Sequence, residues 1–231
     1  MNTLELELET SAGSRPLSFT VRRMVNVGYA GRNQAAVRAH IDELREQGVP
    51  PPPSVPYCIP VAARNITTAE EIEVLPGRTS GEAEVAFFLD GGRIYVGVGS
   101  DHTDRELEAQ SIAKSKQICP NVVSRRVWLY EDVAESWDRL VLQSLVSSQG
   151  GPERPYQRAA LEALLPPHAL LDCVLSRLDH ADRLGLVIYS GTVPLLGAPA
   201  EDAELFRCEL CDEASGRKLS CAYRIKLLAL R

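Results

Sequence analysis

Apolar and polar positions along the chain change period several times, and each change marks an element. Residues 4–8 and 17–27 read as a strand pair, after which Val37, Ile41 and Leu44 recur at helical spacing. The helix predicted there spans residues 32–47, with Asn33 as N-cap and Gly48 as the stop before four prolines at 50–53. Short strands are expected around 56–62 and 72–75. The β-former-rich run 81–89, the turn Asp90-Gly91-Gly92 and the run 93–99 together predict a hairpin over 82–99. Thr103, with Glu106 three residues on, predicts a capped helix over 104–117. Further on come a strand-like 122–130, a helical or irregular 132–145, a Ser/Gly/Pro-rich break at 147–155, and a helical 156–183 interrupted at Pro166-Pro167. Strands at 186–189, 203–211 and 219–228, the last two joined by a Ser215-Gly216 turn, close the chain. Strands at both ends with helices between predict an α+β fold around a folded β-sheet core.

Composition narrows the classes. With 231 residues and 45% hydrophobic content the chain can bury one full core and is short for two independent domains, so a single domain is expected. A net charge of −6 provides no basic field for nucleic acid or anionic lipid, which argues against both partners. Glu5, Glu7 and Glu9 stand where a signal peptide has a basic start, and no apolar run approaches the roughly eighteen residues of a membrane span. A cytoplasmic protein is the expectation. Of six cysteines, Cys208 and Cys211 have the spacing of a zinc half-site. Strand periodicity puts their sulfurs on opposite faces, and Cys221 lacks a second pair, so the cysteines are expected as small hydrophobes in a reducing compartment.

The candidate chemistry lies in two groups. Glu82 and Glu84, two apart on a strand, project from one face, and Asp101 falls just past the second strand of the hairpin, so three carboxylates can meet at one end. Like charges that close repel, and one takes up a proton unless a cation compensates. All-oxygen ligation favours Mg²⁺ or Mn²⁺, or Ca²⁺, over zinc. A solvated polar strand face is the alternative. The second group is His40 and Glu43, three apart and hence neighbours on the first helix, where the carboxylate would orient the imidazole as a water-activating base. A partly buried histidine satisfied by a nearby acid fits the same spacing. Tyr57, after the prolines, is either a pocket wall or an ordinary buried tyrosine.

The order of these pieces resembles the fumarylacetoacetate hydrolase superfamily, in a divergent bacterial branch. Gly31-Arg32-Asn33 leading into His40-Ile41-Asp42-Glu43 is similar to its His-x-x-Glu segment, and Glu82-Ala83-Glu84 to its Glu-x-Glu pair. Ser100 to Glu108 aligns without gaps at Asp101, Arg105 and Leu107, and Tyr189-Ser190-Gly191-Thr192 resembles the Gly-Thr that lines the family's pocket. The family's lysine has two candidates, Lys114 and Lys116, of which Lys116 is preferred because Lys114 suits a helix surface. Residues 50–53 and 156–183 have no clear counterpart. The resemblance implies a mixed β-sheet roll or sandwich core with peripheral helices. Residues 1–66 would carry the His-x-x-Glu pair and residues 67–231 the metal-binding β core. It further implies a homodimer and a small carboxylic acid substrate. Glu82, Glu84 and Asp101 would hold the ion, His40, Glu43 and Lys116 would be catalytic, and Tyr57, Arg105, Gly191 and Thr192 would meet the substrate. The reaction expected from it is hydrolysis of a C–C bond in an acylpyruvate-like 1,3-dicarbonyl or 2-oxo acid through a metal-stabilised enolate. The same site would serve a decarboxylase, hydratase or isomerase, and a non-catalytic ligand-binding protein could keep the fold.

Overall fold

The computed structural model describes residues 2–46 and 50–228; Gln47 and Gly48 of the first predicted helix, and the side chain of Leu44, lie outside the described residues. In chain order the first strands are β1 (Asn2–Thr10), β2 (Gly13–Val21) and β3 (Arg23–Gly28), followed by α1 (Gln34–Glu46). Next come β4 (Tyr57–Val61), β5 (Ile66–Thr67), β6 (Glu71–Val74), β7 (Thr79–Ser80), β8 (Ala83–Asp90), β9 (Arg93–Asp101) and β10 (Thr103–Asp104). Two short helices, α2 (Arg105–Glu108) and α3 (Ile112–Ile118), lead to β11 (Asn121–Val123), β12 (Arg126–Leu129), β13 (Val141–Ser147) and β14 (Arg154–Ala160). The chain ends with α4 (Pro167–Leu175), β15 (Leu186–Thr192), β16 (Leu205–Asp212) and β17 (Arg217–Leu227).

Two sheets carry the architecture. One orders its strands β2-β1-β12-β9-β8-β15-β3-β4, with β11 and β5 attached beside β9; the other runs β14-β13-β16-β17-β6. Both are mixed: β1–β12, β3–β15 and β6–β17 pair in parallel, whereas β8–β9, β8–β15 and β16–β17 pair antiparallel. The hairpin β8–β9 lies at the centre of the larger sheet and is covered on both faces, which is why its sequence is an almost unbroken apolar run. Val85, Phe87 and Val98 point into a core shared with Phe206, Leu210 and Tyr223 of the smaller sheet. Ala86, Phe88 and Tyr95 point the other way, into a second core with Leu6, Phe19, Val187 and Tyr189. Strands from residues 1–66 and from 67–231 therefore share one sheet. The α+β class with peripheral helices expected from the sequence is what the chain adopts.

Several elements differ from their expected bounds. Residues 17–27 form parts of two strands, β2 and β3, that lie at opposite ends of the larger sheet. The predicted 104–117 helix is two helices. Asp104, not Thr103, caps the first through Leu107 N (2.9 Å), and Ser111 caps the second. The strand-like 122–130 is divided by Ser124, whose hydroxyl accepts from Val98 N (3.2 Å) and donates to Arg126 O (2.7 Å). The largest departure is 156–183, where only Pro167–Leu175 is α-helical. Its start is instead strand β14, because the neighbouring β13 offers a full antiparallel ladder and Tyr156 buries against Phe206. Cys208 is buried opposite Cys221 while Cys211 is half-buried on the other face, so the two do not converge as zinc ligands.

Candidate metal centre

Side-chain alternation brings the acids together. Glu82, just before β8, and Glu84 within it share a face with Ala86 and Phe88; in β9, Asp101 shares a face with Tyr95, and in β3, Asn26 shares one with Met24. All lie on the same side of the larger sheet and at the same end. The β8–β9 register pairs Ala83 with Ser100, and Asp101 N donates to Glu82 O (3.0 Å), so Asp101 stands directly across from Glu82. One oxygen from each of Glu82, Glu84 and Asp101 lies within 4.8 Å of the others. Gly99, opposite Glu84, leaves room for the Tyr189 ring: a Cβ there would stand 2.7 Å from Tyr189 Oη and 2.5 Å from Val122 O.

Cations flank the acids. Lys116 Nζ lies 2.7 Å from Asp101 Oδ2, 3.2 Å from Glu82 Oε2 and 3.6 Å from Glu108 Oε1, and donates to Thr103 Oγ1 (2.9 Å). Arg105 donates through Nη1 to Glu82 Oε1 (3.0 Å) and Glu108 Oε2 (2.7 Å), and through Nε to Ser80 Oγ (2.7 Å). Four carboxylates thus face two cations, so with all four ionised the cluster would stand two negative charges from balance. Burial raises the Glu84 carboxyl well above its ordinary range and Asp101 adds to it; Asp101 is itself raised by burial against the pull of Lys116. Burial also works on Glu82, but Arg105 and Lys116 outweigh it and hold this carboxyl down to about 2. Asp101, Glu82 and Glu108 overcome the burial of Lys116 and hold it above the usual lysine range, which favours the ammonium form. His102, beside Asp101, is neutral: burial, with Arg105 adding, lowers it to about 3, and its nitrogens are engaged by Tyr223 Oη (2.9 Å) and Thr79 Oγ1 (3.1 Å).

These residues fit a divalent cation. The donors are all carboxylate oxygens, the choice of a hard ion, and the missing charge is that of one such ion. Polar atoms around Asp101 are incompletely used: Asn26 Oδ1 and Asn121 Oδ1 lack hydrogen-bond partners, and Asp101 Oδ2 takes its ion pair without hydrogen-bond alignment. A backbone device aims the second glutamate. The β8–β15 register shifts between Tyr189 and Thr192, Gly191 turns to φ +83°, and its N–H donates to Glu84 Oε2 (2.8 Å). A Cβ at Gly191 would meet Val27 O at 2.7 Å, so the position combines a left-handed backbone with a close approach that only glycine permits.

Of the residues expected from the sequence, Glu82, Glu84, Asp101, Arg105, Lys116 and Gly191 come together. Lys114 is exposed. Thr192 is adjacent, but its hydroxyl donates to Ala83 O (2.7 Å) and accepts from Gln157 Nε2 (2.7 Å). Tyr57 is half-buried in a groove of about 190 Å³ between the prolines at 50–53 and Glu108. His40 and Glu43 stand apart from the cluster. They lie 3.7 Å from each other on α1 with side chains 62% and 71% exposed, and no hydrogen bond or ion pair joins them to the acids among the described residues. Residues that sequence reasoning missed are Glu108, Asn26, Asn121 and Tyr29. Glu108 follows Arg105 by three positions on α2, and that spacing was its available signal. Asn26 had a signal too, a lone amide in the apolar run Met24-Val25-Asn26-Val27. Tyr29, at φ +56°, is raised by burial and by Glu108, which places it at the rim.

The mixed-sheet α+β core is a fold of the fumarylacetoacetate hydrolase type. A solved structure of that fold, a hexagonal crystal form of 2-keto-3-deoxyarabinonate dehydratase, is similar over 96% of this chain and 80% of its own, with a TM-score of 0.64 and 14% sequence identity. Residues 27–223 match the family described as protein of unknown function DUF2848, and the chain belongs to that family. No curated protein sequence matches it. No helix among the described residues is long and apolar enough to cross a membrane.

Proposed function

We propose that the chain is a divalent-metal-dependent enzyme acting on a small 2-oxo acid, and that its reaction is a lyase- or hydratase-type elimination. The observation that carries this is the convergence of Glu82, Glu84 and Asp101 within 4.8 Å beside Lys116 and Arg105. Mg²⁺ or Mn²⁺, held by those three carboxylates, would supply Lewis-acid polarisation of a substrate oxo group. Lys116, kept as an ammonium, is placed to stabilise negative charge developing on a substrate oxygen, and Arg105 to attract a carboxylate into the site. Tyr57 and the proline groove would border the remainder of the substrate. The 2-keto-3-deoxyarabinonate dehydratase named above acts on a 2-oxo sugar acid, which supports elimination of water from such a compound as the reaction to try first.

Hydrolysis of a C–C bond in an acylpyruvate is the second reading, in which His40, with Glu43 3.7 Å away on the same helix face, would be the base. In either reaction His40 acts only if α1 brings it to the cluster, and α1 packs closely against no other element among the described residues. Calorimetric titration with Mg²⁺ and Mn²⁺ of the wild type and Glu82→Ala tests the metal. Heat in the wild type that the variant lacks is expected, and no metal-dependent heat would leave a non-catalytic ligand-binding protein. Product analysis with 2-oxo sugar acids, acylpyruvates and oxaloacetate separates the reactions: an unsaturated or dioxo acid and water for elimination, two carboxylic fragments for hydrolysis, carbon dioxide for decarboxylation.

A further inference from the structure

The thiols of Cys58 and Cys173, far apart in the chain, meet at the edge of the fold. Their sulfurs are 3.5 Å apart, and both residues are half-buried, so neither is sealed in the core. Cys58 belongs to β4, the edge strand of the larger sheet, and Cys173 to α4. Arg177, one helical turn beyond Cys173, donates through Nη1 to the Cys173 sulfur (3.0 Å). A guanidinium in that position is the partner for a sulfur that carries negative charge during thiol chemistry. A disulfide needs the sulfurs at about 2.05 Å, an approach of roughly 1.5 Å from this contact.

The surroundings give such a bond a consequence. The segment that carries α1 and the prolines leaves the body of the protein at Ala30–Arg32. There Ala30 O accepts from Leu165 N (2.8 Å), and Arg32 donates to Ala163 O (2.9 Å) and Leu164 O (2.9 Å). It re-enters at Tyr57–Cys58. Both roots of this excursion therefore stand against the 163–175 stretch: the first through hydrogen bonds, and the second, itself paired with β3, through the contact of the two thiols.

We propose that Cys58 and Cys173 form a reversible dithiol–disulfide site, oxidised by hydroperoxides, which fastens the second root of the α1–proline segment to α4. Cys173 sulfur attacks the peroxide; the O–O bond breaks, an alcohol (or water, from hydrogen peroxide) leaves, and a sulfenic acid forms. Cys58 sulfur then attacks the sulfenic sulfur, the S–O bond breaks, and the hydroxide departs as water with the Cys58 proton. The two sulfurs lose two electrons and the peroxide oxygens gain them. The order follows from the surroundings, since burial, with the neighbouring Cys173, pushes the Cys58 thiol up to about 12, whereas Cys173 has the guanidinium.

The test is peptide mapping of the full-length, reduced protein after brief exposure to hydrogen peroxide, with free thiols alkylated. The expected product is a peptide pair joining Cys58 to Cys173, two hydrogens lighter than its parts and absent after dithiothreitol. Cys58→Ser should leave a dimedone-reactive sulfenic acid on Cys173, and Arg177→Gln should slow crosslinking several-fold with an unchanged circular dichroism spectrum. Oxidation of Cys211, the other half-buried thiol, at an equal rate without this link would overturn the proposal, as would a link formed only in urea-unfolded protein. Because the readout is a peptide mass, its outcome is independent of the metal and of the reaction.

Discussion

Glu84 and Asp101 lie in the larger sheet at 3% and 1% exposure, whereas His40 and Glu43 project from α1 with side chains 62% and 71% exposed. Both groups show the spacing of chemically useful residues, and their physical situations are opposite. The acids are fixed by backbone ladders on either side, by an N–H aimed from Gly191 and by one buried and one half-buried cation, so removing any one group leaves others uncompensated. The helical pair is held only by its own helix, and either residue can change without disturbing a neighbour.

Breaking the sheet-end cluster should have the largest effect. Glu84→Ala is expected to remove metal-dependent calorimetric heat and to lower turnover about 1,000-fold; a variant that keeps both would separate Glu84 from the metal. Lys116→Met, measured by urea unfolding in the presence of a chelator, should lose roughly 3 kcal/mol because Asp101 is left as a buried, unpaired charge. Added Mg²⁺ should restore part of that loss, and no restoration would argue against an ion near Asp101.

Acid should expose the same burial more gently. His102 titrates at about 3 in the fold and near 6.5 in the unfolded chain, so as pH falls below about 6.5 the unfolded state binds the proton first. Stability is complete above that pH and declines by about 1.4 kcal/mol per pH unit until the folded value is reached. Comparison with His102→Gln isolates this contribution, and equal slopes for the two proteins would remove it. The smallest effect belongs to the helix. His40→Ala should leave stability within about 0.5 kcal/mol and metal affinity unchanged while lowering turnover. Survival of activity within a few-fold would show that α1 does not supply the base.

The sheet end was legible because strand alternation is a local rule. Two residues apart on β8 means one face, and the Asp90-Gly91-Gly92 turn fixes the register that sets Asp101 opposite Glu82. Lys116 was harder to place. On one continuous helix it would stand roughly 16 Å along the axis from Arg105, too far to share Glu82. The break at Ala109–Ser111, with its new cap at Ser111, folds α3 back so that both cations reach that carboxylate. Asn26 and Asn121 were hidden for a different reason, since they come from β3 and β11 and meet Asp101 only through sheet order, which no spacing reveals. Residues 156–160 read as helical because their own sequence is permissive, and pairing with β13 overrode that preference.

The Gly191 amide has a use beyond holding Glu84. Its proton points at a carboxylate that burial and Asp101 hold above its ordinary range, so its nuclear magnetic resonance frequency follows the electron density on Glu84. In a protein labelled only with ¹⁵N-glycine, that signal would report the state of the centre directly, before any substrate is known.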